Sequence, residues 1–110
     1  LEAQLKALAA VKPGVTGKQV DQIARDIIAG AGYGECFGHG LGHGVGLEIH
    51  EDPRLSQFGE DILVPGMIVT VEPGVYLPGW GGVRIEDLVV VTENGCRILT
   101  ATPKDLYIIE

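Results

Sequence analysis

The run from Phe37 to His50, FGHGLGHGVGLEIH, constrains this chain more than any other stretch. All three histidines lie in it, His39, His43 and His50, with glycines at Gly38, Gly40, Gly42, Gly44 and Gly46. Glycine has no Cβ, so this backbone can approach a neighbour or a ligand closely, but it loses the most entropy on ordering. Something else must hold the segment still, such as flanking strands or a bound ion. A plain linker would be Gly/Ser-rich and polar. This run passes directly into the apolar Val45, Leu47 and Ile49. That favours an ordered functional segment over a flexible loop with incidental histidines.

At 110 residues the chain is one domain or part of one, and its 45% apolar content is ample for a core. Seventeen glycines, six prolines and 5% aromatics imply many turns and closely packed backbone. No apolar run approaches the ~20 residues that span a bilayer, and residues 1–11 lack the layout of a signal peptide. A net charge of −7 argues against binding a nucleic-acid backbone, which needs clustered Lys and Arg. Cys36 and Cys96 form no CxxC pair, so a reduced, cytoplasmic pair is expected, with a single disulfide left open. Leu1 is not a methionine, and the first residues already read as the middle of a helix. The expectation is a segment of a longer chain.

Leu1, Leu5, Leu8 and Val11 recur at helical spacing, with Glu2, Gln4 and Lys6 on other faces, and Pro13-Gly14 stops the helix. Thr16 and Gln19 form a capping box for a second helix. Its apolar face is Val20, Ile23, Ala24, Ile27 and Ile28, and Gly30 or Gly32 supplies a left-handed end. Strands follow. Leu47 to His50 alternates, Glu51 to Asp61 reads as a loop, Met67 to Val71 is a strand, and Val75 to Leu77 continues it. Pro78 to Gly82 reads as a loop or hairpin tip. Val83 to Val91 reads as the longest strand, and Glu93-Asn94-Gly95 turns it into a return over Cys96 to Leu99. Helices followed by antiparallel strands predict an α+β domain, two helices covering one face of a mainly antiparallel sheet. His50, Glu72 and Glu86 then gather on the other face.

Among the polar residues, Glu72 ends the apolar strand Ile68 to Val71, and Pro73 holds it extended. A buried carboxylate there needs a cation or donors; a strand-end glutamate in solvent is the equal alternative. Strand alternation places Arg84, Glu86 and Leu88 on one face and Val83, Ile85 and Asp87 on the other. Arg84 and Glu86 can simply pair with each other, and Asp87 reads as a supporting or surface group. His43, Glu72 and Glu86 make a mixed nitrogen and oxygen set suited to Mn, Fe, Co or Zn rather than Ca or Mg. The absence of a nearby thiolate disfavours a structural zinc site. The spacing alone is not a strong motif.

The surrounding words are. HGLGHGVGLEIHE, LVPGMIVTVEPGVY and GGVRIEDLVVVTENG, in this order, resemble the pita-bread metallopeptidases, nearest the aminopeptidase P and proline dipeptidase branch. The resemblance covers essentially residues 1–110, including KPGVTG and ARDIIAGAGYG, and matches the C-terminal half of that catalytic domain. It implies two divalent ions, Mn or Co foremost with Zn or Fe as alternatives. These activate a water that attacks the peptide bond preceding proline. By motif position it implies His43, Glu72 and the bridging Glu86 as metal ligands. His50 contacts the substrate and stabilises the tetrahedral intermediate, His39 lines the substrate pocket, and Arg84 supports Glu86. Trp80 either lines the site or packs on a partner subunit.

The family's two aspartate ligands and a further histidine precede the first helix seen here; Asp21 and Asp26 do not match them. Two dications bring four positive charges against the two negative charges of Glu72 and Glu86. The expectation is a chain inactive on its own, holding at most one ion weakly. It should also self-associate through the surface that the other half of the fold covers. Two other classes remain: a non-catalytic peptide- or protein-binding module, and a creatinase-like hydrolase working without metal. The presence of His43, Glu72 and Glu86 together argues against both.

Overall fold

The computed structural model, which describes residues 1–110, begins with two helices that pack on each other, α1 (Glu2–Ala10) and α2 (Gly17–Gly30). Thr16 Oγ1 accepts from the Gln19 backbone N–H, and the Gln19 side chain accepts from the Thr16 N–H, so the anticipated capping box forms. At the other end Gly32 takes φ +91°. Tyr33 N–H then reaches Ile28 O and Gly32 N–H reaches Ala29 O, which closes α2 as a Schellman motif. Val20, Ala24 and Ile28 enter the core, whereas Ile23 points outward.

The expected apolar stripe of α1 is only half right. Leu8 and Val11 are buried, but Leu1 and Leu5 are exposed, and Ala3, Gln4 and Ala7 take the inner face instead. The small alanines allow close helix packing. Gln4, expected on another face, is drawn inside because its amide donates to the buried Asp87 carboxylate.

After a single 3-10 turn at Gly34–Cys36 come seven strands: β1 (Gly42–Gly44), β2 (Glu51–Leu55), β3 (Ile68–Val71), β4 (Gly74–Leu77), β5 (Gly81–Arg84), β6 (Asp87–Val91) and β7 (Cys96–Ile98). Five form an antiparallel sheet in the order β2-β1-β3-β6-β7, while β4 and β5 pair only with each other. Val69 and Val71 of β3, with Val89 and Val91 of β6, are buried in one core with α1 and α2. This is the α+β arrangement the sequence implied. Cys36 and Cys96 are both free thiols, and burial pushes the Cys96 thiol up. No helix is long and apolar enough to cross a membrane.

Two strand assignments change. Leu47 to His50 is not a strand but a series of bends, and Leu47 and Ile49 stand 105% and 84% exposed. The strand lies one step later, at Glu51–Leu55, where a loop was expected. Glu51 accounts for this. Its carboxylate accepts from Glu48 N–H and fills the space where a Gly46 side chain would sit, so it folds the segment into a bend. Pro53 is tolerated because β2 is an edge strand, where a missing N–H costs no ladder bond. The expected long strand Val83 to Val91 is also broken, into β5 and β6 with Ile85 and Glu86 between. Pro73 cannot continue the ladder of β3, whose last pair is Val71 with Asp87. Residues Gly81 to Arg84 turn away to pair with β4.

Candidate active site

His43 sits at the centre of β1, between β2 and β3. Its glycine neighbours are required by that squeeze. A Cβ on Gly42 would lie 1.8 Å from Thr70 O, and one on Gly44 would lie 2.2 Å from Asp52 O. By contrast, a Cβ on Gly38 would meet nothing within 4 Å. We therefore expect Gly42→Ala to cost about 3 kcal/mol or more by forcing β1 away from β3, with Gly38→Ala near neutral. Urea unfolding of both variants checks this, and equal midpoints would refute it.

The imidazole of His43 is oriented by its own strand. Nδ1 lies 2.8 Å from Gly44 O. A carbonyl only accepts, so Nδ1 carries a hydrogen and Nε2 points outward. It faces Glu72 Oε1 at 3.1 Å. Thr70 links the two residues: its hydroxyl accepts from His43 N–H at 3.0 Å and donates to Glu72 Oε1 at 2.8 Å. Glu72 N–H is held by Leu41 O at 2.7 Å. Of the two readings open for Glu72, the largely buried one applies.

Arg84 stands between the two glutamates. Its Nε is 3.7 Å from Glu72 Oε2 and 3.4 Å from Glu86 Oε2, so the Arg84–Glu86 pairing does form. Hydrogen bonding with Tyr76, and then the charges of Glu86 and Glu72, raise the guanidinium above its ordinary pKa. The His50 ring packs edge-on against His43, centroids 4.5 Å apart. His39 is locked in the same manner as His43: Nδ1 lies 2.7 Å from Gly40 O, so Nε2 accepts from the Tyr76 hydroxyl at 2.8 Å.

These groups line a cleft of about 370 Å³ whose walls carry no apolar side chain. His39, His43, His50, Glu72 and Arg84 all reach it, whereas Glu86 lies beyond Arg84 and does not. No three His, Cys, Asp or Glu side chains converge closely enough to cage an ion by themselves. Trp80 is away from the cleft and exposed. Asp87, read as a supporting or surface group, is instead buried, its carboxylate taken up by Gln4, Thr100 and Lys104. The sequence reading passed over Thr70 and Tyr76. A signal for Thr70 existed: it is the one polar residue in the strand Ile68 to Val71, two positions before Glu72. Tyr76 had none, because its partner His39 is 37 residues away.

The donor chemistry fits a divalent transition ion. With His43 as the neutral Nδ1–H tautomer, its Nε2 and the Glu72 oxygen 3.1 Å away are both acceptors, and a divalent ion between them would satisfy both.

The chain is 58% identical over 106 residues to an Xaa-Pro dipeptidase of Pyrococcus horikoshii, covering 96% of this chain and 30% of that protein. It superposes on the Xaa-Pro dipeptidase from Bacillus anthracis with a TM-score of 0.95 at 54% identity, covering 98% of this chain and 30% of that one. An X-Pro aminopeptidase from Thermotoga maritima gives 0.94 at 51%, covering 98% and 31%. The chain thus spans under a third of the length of these relatives. Its two helices on an antiparallel sheet are one half of the pita-bread fold. Residues 1–93 match metallopeptidase family M24, and the chain belongs to that family.

Proposed function

We propose that this chain supplies one wall of the active site of a metal-dependent peptidase that cleaves the peptide bond before proline. The observation that carries the reading is His43 Nε2 held 3.1 Å from Glu72 Oε1. The Xaa-Pro dipeptidases and the X-Pro aminopeptidase among its relatives share that bond preference by name.

His43 and Glu72, joined by Glu86 once it turns in from beyond Arg84, would hold the ions, Mn or Co foremost. Bound divalent ions lower the pKa of a water so that a nucleophile exists near neutral pH. The chain's own residues do the rest. Thr70 fixes the Glu72 carboxylate through its hydroxyl. The Arg84 guanidinium lies between Glu72 and Glu86 and holds both carboxylates in place. His50 is the donor for the substrate oxygen, where negative charge develops only in the transition state. His39 lines the cleft beside them, its ring held by the Tyr76 hydroxyl.

Glu72 and Glu86 neutralise only half of two dications, so a full site needs further carboxylates from outside residues 1–110. The test compares the full-length protein carrying this sequence with residues 1–110 alone. After chelation and Mn²⁺ or Co²⁺ restoration, the full protein is expected to hydrolyse an Xaa-Pro dipeptide and not its Xaa-Ala analogue. The 110-residue chain is expected to be inactive and to bind one ion or fewer by elemental analysis. Metal-independent turnover, or equal rates on both peptides, would sink the reading.

A further inference from the structure

The segment from Phe37 to Leu41 positions His39, yet no strand or helix contains it. Glycines at 38 and 40 leave it conformationally free. What orders it is a pair of charged residues one turn apart on α2. Asp21 is fully buried, and its Oδ1 accepts from Leu41 N–H at 3.0 Å. Arg25 binds both oxygens of Asp21, Nε to Oδ2 at 2.8 Å and Nη2 to Oδ1 at 3.0 Å. The remaining donors go to the segment itself: Nη1 to Phe37 O and Nη2 to His39 O, each at 2.9 Å. The guanidinium also lies 4.1 Å over the Phe37 ring, and that ring meets His39 edge-on at 5.2 Å.

Alternate peptide units, at residues 37, 39 and 41, are therefore held by one ion pair. The space around His39 shows why this matters. A second cavity of about 380 Å³ lies behind it, lined by Arg25, Phe37 and Phe58, and shares His39, Gly40 and Ser56 with the cleft. His39 is the partition between the two. Freed at its backbone, it has room to swing away from Tyr76 and Glu72.

We propose that Asp21 and Arg25 are positioning residues: they act through the backbone of residues 37–41 to hold His39 in the cleft. Arg25 is suited to this because its planar fork reaches several acceptors at once, which the point charge of lysine cannot do. The kinetic consequence rests on the peptidase reading above; the geometric one does not.

The test uses the full-length protein with Arg25→Met, Arg25→Lys and Asp21→Asn, and Asp26→Asn on the exposed face of α2 as control. Imidazole ¹⁵N–¹H correlation spectra are expected to show the wild-type His39 as one Nδ1–H tautomer. In Arg25→Met and Arg25→Lys that pattern is expected to average, while His43, whose backbone is fixed in a strand paired on both sides, keeps its own. With an Xaa-Pro dipeptide, kcat/KM is expected to fall about 10- to 100-fold, mainly through KM, with Arg25→Lys failing to rescue and Asp26→Asn unchanged. Should the Arg25 variants not fold, Asp21→Asn, which retains the shape of the side chain, gives the same readout. An unaltered His39 pattern in a folded Arg25 or Asp21 variant overturns the proposal, as does a rescue by lysine. Absence of turnover in the wild type would count against the peptidase reading alone, since the spectra still decide the role of the pair.

Discussion

On the proposed peptidase reading, His43→Ala is expected to cut hydrolysis of an Xaa-Pro dipeptide more than about 100-fold, because replacing even a group that only supports a metal ligand costs 10- to 100-fold. The loss should appear in metal content as well as in rate. His43 is the one imidazole whose Nε2 faces a carboxylate, and its ring is set by Gly44 O rather than by the site. Removing it leaves Glu72 Oε1 with the Thr70 hydroxyl as its remaining close partner. Glu72→Gln should give a similar loss by another route. It keeps the shape and the Thr70 bond but discards the charge. Elemental analysis of the purified full-length variants beside initial rates is the check. Full metal occupancy with unchanged rate in either variant would refute the ligand assignment.

Asp87→Ala is expected to be the most damaging change away from the cleft, at about 3 to 5 kcal/mol, because it strands the partners of a buried ion pair. Asp87 is 2% exposed. Gln4 donates to its Oδ2 at 2.7 Å, and Lys104 and Thr100 also engage its oxygens. Lys104 in turn donates to Gln4 Oε1 at 3.2 Å. Lys104 retains some solvent contact, so the lower end of that range is expected. The double variant with Lys104→Met should recover part of the loss, since no unpaired ammonium remains. Burial pushes the Asp87 carboxyl up, but hydrogen bonds from Lys104, Thr100 and Gln4 outweigh it and hold the pKa below its ordinary value. A depressed carboxyl stabilises the fold fully above the unfolded pKa, near 3.9, and loses that contribution as pH falls through the folded value. Urea unfolding from pH 7 down to pH 2 should therefore show a steeper acid loss in wild type than in Asp87→Ala. Parallel curves would refute the pairing.

What could be read from the residues follows how local each determinant is. The capping box of α2 needs only Thr16 and Gln19, and it forms as expected. The helices and most strands follow from periodicity for the same reason. Leu47 and Ile49 alternate as a strand would, yet a carboxylate at Glu51 turning back on Gly46 decides their fate. Period-two alternation cannot register such a contact. Asp87 was misjudged because Gln4 is 83 residues away in the chain. The meeting of His43 with Glu72 was legible only through the words around them, and those words carried no hint of Tyr76 closing on His39.

The β4–β5 ribbon gives this site an uneven build. Tyr76 and Arg84 ride on two strands that pair only with each other. His43 and Glu72 belong to the larger sheet and its end. The two pieces meet where Ile85 N–H reaches Pro73 O at 3.3 Å, where Val75 packs on the core, and through the Tyr76–His39 and Arg84–Glu72 contacts. The spacing between Tyr76 and Glu72 is thus set by how this ribbon seats on the main body, because no ladder bond joins β4 or β5 to the larger sheet. Changes at Pro73 or Ile85 would alter how wide a residue the mouth admits without touching a single group that lines it.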